Sequence, residues 1–159
     1  MKDAIETLLT RRSVRNFNGK PIPEDVLDTI LKVGTYAPTA KGMQKPVIIA
    51  IKDKKVRDEL AALNAKIMGR EGIDPFYGAP VVILVAVEKY DLSVYDGASV
   101  IANMLDAAWA LGVGSCWVHR AKEELETDFG KILLKSLGLT GDYVGVGHVA
   151  LGYFDGEAP

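Results

Sequence analysis

The chain has 159 residues, 48% hydrophobic and 25% charged, which is globular composition and excludes a disordered chain, a collagen-like fibre and a coiled coil. Lys and Arg total 19 against 21 Asp and Glu, so the net charge of −2 leaves no cationic excess for a nucleic-acid backbone. The single cysteine, Cys116, cannot form an internal disulfide. The N-terminus turns acidic where a signal peptide would be apolar, and no apolar run approaches the roughly 20 residues of a membrane span. A soluble, cytoplasmic protein of one domain over residues 1–159 is expected.

The segment from Asp3 to Arg12 reads as a first helix, with Ile5, Leu8 and Leu9 on one face and Arg11 and Arg12 at its C-terminal end. Phe17 to Pro21 is a turn. Pro23-Glu24-Asp25 opens a second helix with an apolar stripe of Val26, Ile30 and Val33. A loop from Ala37 to Lys45 leads to a strand from Pro46 to Ile51, then an amphipathic helix from Asp53 to Met68. Gly69 to Gly78 has the composition of a mobile loop. Ala79 to Val87 is almost wholly apolar and β-branched, which predicts a strand buried on both faces.

Ser93 is placed to cap the longest helix, which runs to about Leu111 with Val94, Ala98, Ile101, Leu105 and Ala108 as its stripe. Its small residues, Gly97, Ala98, Ala102, Ala107 and Ala108, suit close packing against another helix. Gly112-Val113-Gly114 ends it, Ser115 to His119 is strand-like, and Lys122 to Leu137 is a further helix. A last strand spans Tyr143 to Tyr153, with glycines at 145, 147 and 152 where backbone or ligand approaches closely. Four strands among five helices predict a three-layer α/β or α+β fold.

Three stretches carry candidate chemistry. Arg11-Arg12-Ser13-Val14-Arg15 gathers three guanidiniums and a hydroxyl, donors suited to a phosphate, although cations at a helix C-terminus also complement its dipole. In Ala37-Pro38-Thr39-Ala40-Lys41-Gly42-Met43-Gln44, Thr39 and Gln44 are placed to bond a planar heterocycle and Lys41 adds charge, in what is otherwise a solvated loop. Gly112 to His119 offers glycines and a strand end for a ligand, or else a helix C-cap entering a buried strand. Cys116, His119 and His148 are too few ligands for a structural zinc site, and no metal is expected. No nucleophile elbow, P-loop or dinucleotide fingerprint is present. Cys116 reads as an inert packing thiol and His148 as a satisfied, half-buried histidine.

The order of these landmarks resembles the FMN-dependent nitroreductase family over nearly the full chain. Arg-Arg-Ser-Val-Arg follows a first helix, then come Pro-Ile-Pro-Glu-Asp, Ala-Pro-Thr-Ala with Gln44, Gly-Val-Gly-Ser-Cys-Trp-Val and a closing Leu-Gly-Tyr. The resemblance implies an α+β fold, a three-layer α/β/α sandwich whose mostly antiparallel sheet is flanked by helices. It also implies an intertwined homodimer that holds FMN at the interface, takes hydride from NADH or NADPH, and reduces nitroaromatics, quinones or similar acceptors in a ping-pong cycle. By position, Arg11, Arg12, Ser13 and Arg15 would bind the phosphate, ribityl chain and the N1/O2 side of the ring. Pro38, Thr39, Ala40, Gly42 and Gln44 would come from the other subunit. Val118, His119 and Arg120 would lie beside the ring, with the Arg120 amide near N5, and no side chain of the protein need act as nucleophile or base.

The chain departs from the family's pattern in places. Gly42 stands where many members have Asn, Gln44-Lys45-Pro46 replaces Gln-Pro-Trp, and a basic tail common in relatives is not found before Pro159. His119 and Arg120, where others carry Glu-Gly or small residues, predict a bulkier and more positive acceptor pocket. The readings that compete with an enzyme are a flavin carrier or sensor and a cofactor-less interaction protein on the same scaffold.

Overall fold

The computed structural model describes residues 1–157. Four strands form one sheet: β1 (Pro46–Ile51), β2 (Val81–Glu88), β3 (Gly114–Val118) and β4 (Tyr143–Gly152). Their spatial order is β1-β2-β4-β3 and every pairing among them is antiparallel. Among the described residues there are also six α-helices and a short 3₁₀ turn at Ala40–Gly42: α1 (Ala4–Thr10), α2 (Glu24–Thr35), α3 (Lys54–Ile67), α4 (Ser93–Ala110), α5 (Ala121–Leu125) and α6 (Asp128–Ser136).

Alternation along β2 builds two cores. Val82, Leu84 and Ala86 face one side with Leu60, Leu125 and Leu134 of α3, α5 and α6. Val81, Ile83 and Val85 face the other with Ile30 of α2 and Ile101 and Met104 of α4. The expected three layers are therefore present, and both faces of β2 are buried although the sheet is antiparallel. Each Leu or Ile so covered stabilises the fold by about 1.5–3 kcal/mol relative to exposure.

Several expectations are corrected. The helix predicted over Lys122 to Leu137 is two helices, because the Thr127 side chain accepts from the Gly130 amide and starts α6 afresh. That makes six helices rather than five. Ser93 does not cap α4: Leu92 is the cap, and the Ser93 hydroxyl accepts from the Tyr90 amide. Val94 is 57% exposed, so the buried stripe of α4 runs through Gly97, Val100, Ile101, Met104, Leu105 and Ala108 instead. The segment over residues 69–78 is anchored: Asp74 accepts from the amides of Phe76 and Gly78 and pairs with Arg57, and Phe76 is fully buried.

Two glycines let helices rest directly on β4. A bulge opposite Val85 and Ala86 leaves Val146 unpaired in that strand. Its side chain then meets Gly97 of α4, where a Cβ would lie 2.4 Å from Val146 Cγ2. Gly97 thus serves contact with a strand rather than with a second helix. At Gly145 a Cβ would come 2.2 Å from the Ala121 carbonyl oxygen, so only glycine lets the start of α5 sit against β4.

Candidate functional site

The Arg-Arg-Ser-Val-Arg segment lies along the free edge of the sheet. Ser13 forms a parallel bridge with Ser115, and the Val14 amide donates to the Ser115 carbonyl at 2.9 Å. Arg15 follows two residues after this isolated bridge. Burial pushes the Cys116 thiol's pKa up, while Arg15, the Ser13 hydroxyl and Arg11 pull it the other way. Cys116 is 2% exposed and packs in one of the two cores. Arg11 approaches Asp106 of α4 at 3.7 Å, and Arg15 has no ion pair or hydrogen bond among the described residues. Arg12 does not join them. Its Nη1 donates to the carbonyls of Leu9 and Arg11 at 3.2 and 2.9 Å, closing the end of α1.

At the far end of β3 the chain turns sharply at Arg120, whose φ of +81° is a left-handed conformation that glycine takes without strain. The amides of His119 and Arg120 have no hydrogen-bond partner among the described residues. From Ser115 to Arg120 the strand covers on the order of 16 Å at about 3.3 Å per residue, enough for a phosphate at one end and a ring system at the other. His148, expected half-buried, is fully buried, and both ring nitrogens are engaged, with the Val118 carbonyl and with Glu124. It is satisfied, and no substrate reaches it.

The loop of residues 38–44 lies elsewhere. Lys41, Gly42 and Gln44 all have positive φ, at +55°, +64° and +50°. Backbone held this way by non-glycine residues costs on the order of 1 kcal/mol each and clusters at ligand sites. The fastening is a buried carboxylate: Asp96 in the first turn of α4 accepts from the Ala40 amide at 2.9 Å and from the Tyr90 hydroxyl. Thr39 Oγ1 accepts from the Gln44 amide at 3.0 Å, so this hydroxyl shapes the loop. Asp96 and Tyr90 escape sequence reading, since an acid in a first helical turn reads as a partner of the helix dipole.

Within one chain the loop and the arginine segment do not meet. The loop feeds β1 at one edge of the sheet, and the arginines line β3 at the other edge, three strand spacings or on the order of 14 Å away. Along α4, Asp96 holds the loop and Asp106 faces Arg11, ten residues apart.

The nitroreductase family model matches residues 8–153, and the chain belongs to that family. It is 28% identical over 159 aligned residues to a protein of Archaeoglobus fulgidus named as an NADH dehydrogenase/NAD(P)H nitroreductase, covering 96% of this chain and 86% of the relative. It is 27% identical over 143 residues to an FMN reductase (NADPH) of Bacillus subtilis, covering 79% of this chain but 57% of that longer protein. Among solved structures, a nitroreductase of Bacteroides fragilis with bound FMN aligns with a TM-score of 0.87 and 28% identity, over 98% of this chain and 90% of the other. No helix among the described residues is long and apolar enough to cross a membrane.

Proposed function

We propose that the chain is an NAD(P)H-dependent flavin oxidoreductase that binds FMN between two copies of itself. The observation that carries this reading is the line of donors along β3: Arg11, Ser13 and Arg15 at one end, and two unpartnered amides at the other. Guanidiniums with a hydroxyl suit a phosphate, and Arg15, further along the strand, suits the N1/O2 edge of the ring, where negative charge gathers on reduction. Val118, His119 and Arg120 border the ring. Pro38, Thr39, Ala40, Gly42 and Gln44 of the second copy cover it. Flavin bound there supplies the hydride chemistry, so the protein's tasks are anchoring, orientation and charge stabilisation. NAD(P)H and the acceptor, a nitroaromatic or quinone, would use the same site in turn, a ping-pong order.

The split between sheet edges supports the pairing of copies, because one chain cannot bring its own loop to its own arginines. The surface supports it as well. Ile5, Leu8 and Leu9 of α1 are 66%, 61% and 71% exposed, and an apolar groove of about 430 Å³ runs between α1, α2 and α4, lined by Leu8, Val33, Ala107 and Leu111. An apolar face of this kind on a small protein marks an interface.

An absorbance spectrum of the purified protein, taken after incubation with FMN and desalting, tests the reading. Flavin bands at about one FMN per chain are expected, bleaching on addition of NADH or NADPH and returning with menadione. Folded protein that stays colourless with excess FMN overturns it.

A further inference from the structure

Three consecutive residues at the end of β3 are each tied from behind. His148 Nδ1 lies 3.0 Å from the Val118 carbonyl oxygen. Asn64 Nδ2 donates to the His119 carbonyl at 2.9 Å, and Arg120 Nε donates to Asn64 Oδ1 at 2.9 Å. Glu124 joins these ties, with Oε2 at 2.6 Å from His148 Nε2 and Oε1 accepting from Asn64 Nδ2 at 2.5 Å. Asn64, Glu124 and His148 come from α3, α5 and β4, and all three are fully buried.

The hydrogen inventory closes. A carbonyl oxygen only accepts, so His148 Nδ1 carries a hydrogen and donates it to Val118. One further proton lies between Nε2 and Oε2, and the pair is neutral overall whichever atom holds it. Asn64 uses its carbonyl and both amide hydrogens. A buried network with every member satisfied fixes one arrangement of the chain, whereas a half-satisfied one would be costly.

What it fixes is the direction of two peptide groups. In a trans peptide the C=O and N–H point opposite ways. With the Val118 and His119 carbonyls drawn inward, the His119 and Arg120 amides point outward, and neither meets an acceptor among the described residues. Arg120 also keeps its left-handed φ of +81°, which a non-glycine residue holds only where its surroundings impose it.

We infer that Asn64, Glu124 and His148 are positioning residues that aim the Arg120 amide at the flavin ring and thereby set the reduction potential of the bound cofactor. The role rests on the proposed FMN site. A donor at a ring nitrogen that accepts when oxidised and carries hydrogen when reduced favours the oxidised form. Releasing the amide therefore makes the bound flavin easier to reduce.

The test is the midpoint potential and FMN dissociation constant of the holoprotein in Glu124→Leu, Asn64→Leu and Glu124→Gln. Glutamine keeps every link, because its amide nitrogen donates to His148 Nε2 and its oxygen accepts from Asn64, so wild-type potential is expected. Both leucine variants should show a more positive potential, while FMN affinity falls less than about tenfold because the arginine segment is intact. Asn64→Ser, too short to span the gap but roomy enough for water, carries the same readout if the leucine variants do not fold. Folded, FMN-loaded Asn64→Ser with the wild-type potential overturns the positioning role and leaves the flavin site standing. Wild-type protein that binds no FMN overturns the flavin reading itself.

Discussion

The two edges of the sheet hold their candidate site segments by different means. At the β3 edge the arginine segment is annexed to the sheet by a backbone bridge, and the turn at Arg120 is fixed by a buried network drawn from three elements. At the β1 edge the loop of residues 38–44 is held in a strained conformation mainly by one carboxylate, Asp96. Under the proposed function the difference gives them separate parts: the β3 edge would anchor and aim, and the loop would close over a ligand held on another copy.

The sharpest break of this comparison comes from mixing subunits. Arg15→Ala removes a guanidinium from the anchoring edge and is expected to weaken FMN binding by about 2–5 kcal/mol. Gly42→Pro disables the loop, since proline fixes φ near −65° and Gly42 has φ +64°. Each variant alone should lose nearly all flavin. Refolded together at equal amounts, half the dimers are mixed, and each mixed dimer keeps one site with an intact anchor and an intact loop. FMN should return to about a quarter of the sites, as read by flavin absorbance after desalting. No recovery, with mixed dimers shown to be present, would mean that each chain builds its own site.

Much of this was legible in the sequence, and what was not has a common cause. Strand β1 was readable to its ends, and β2 and β4 to within a few residues, because β-branched runs bounded by turn residues leave little choice. The β3 donors were readable as a motif because neighbouring residues act together there. The Asn64–Glu124–His148 network was not, since its members come from three elements and each alone looks like a surface polar residue or a satisfied histidine. The break between α5 and α6 was hidden because Thr127 sits in a helical-looking run, and its capping role shows only once its side chain meets the Gly130 amide. Asp96 was hidden for the same reason as the network: its partner amide at Ala40 is 56 residues away.

The hold of Asp96 on the loop can be graded. Asp96→Ala leaves the Ala40 amide and the Tyr90 hydroxyl without their acceptor, at a cost of about 1–3 kcal/mol in stability. FMN affinity should fall about tenfold as the loop loses its set conformation. Asp96→Asn keeps an oxygen for Ala40 and offers an amide that Tyr90 accepts from, so affinity should stay within about threefold. Thermal melts and FMN titrations check the pair of variants. Equal losses in both would mean that the charge of Asp96, rather than its place as acceptor, holds the loop.

The smallest expected effect is also the one with a defined pH signature. Tyr90 donates its hydroxyl to Asp96, and this bond pushes the phenol pKa from 10.0 up to about 12. The neutral phenol is the form that the fold favours, so the stabilisation is fully present below pH 10, the value an unfolded chain would have. It is lost as pH rises from 10 through about 12, where the phenolate forms beside a carboxylate. Tyr90→Phe lacks both the bond and the titration. The stability difference between wild type and Tyr90→Phe should therefore be constant from pH 7 to 10 and shrink above it, as followed by urea denaturation at each pH. A difference that stays constant up to pH 12 would show that Tyr90 contributes packing around Lys45 and the loop rather than a hydrogen bond to Asp96.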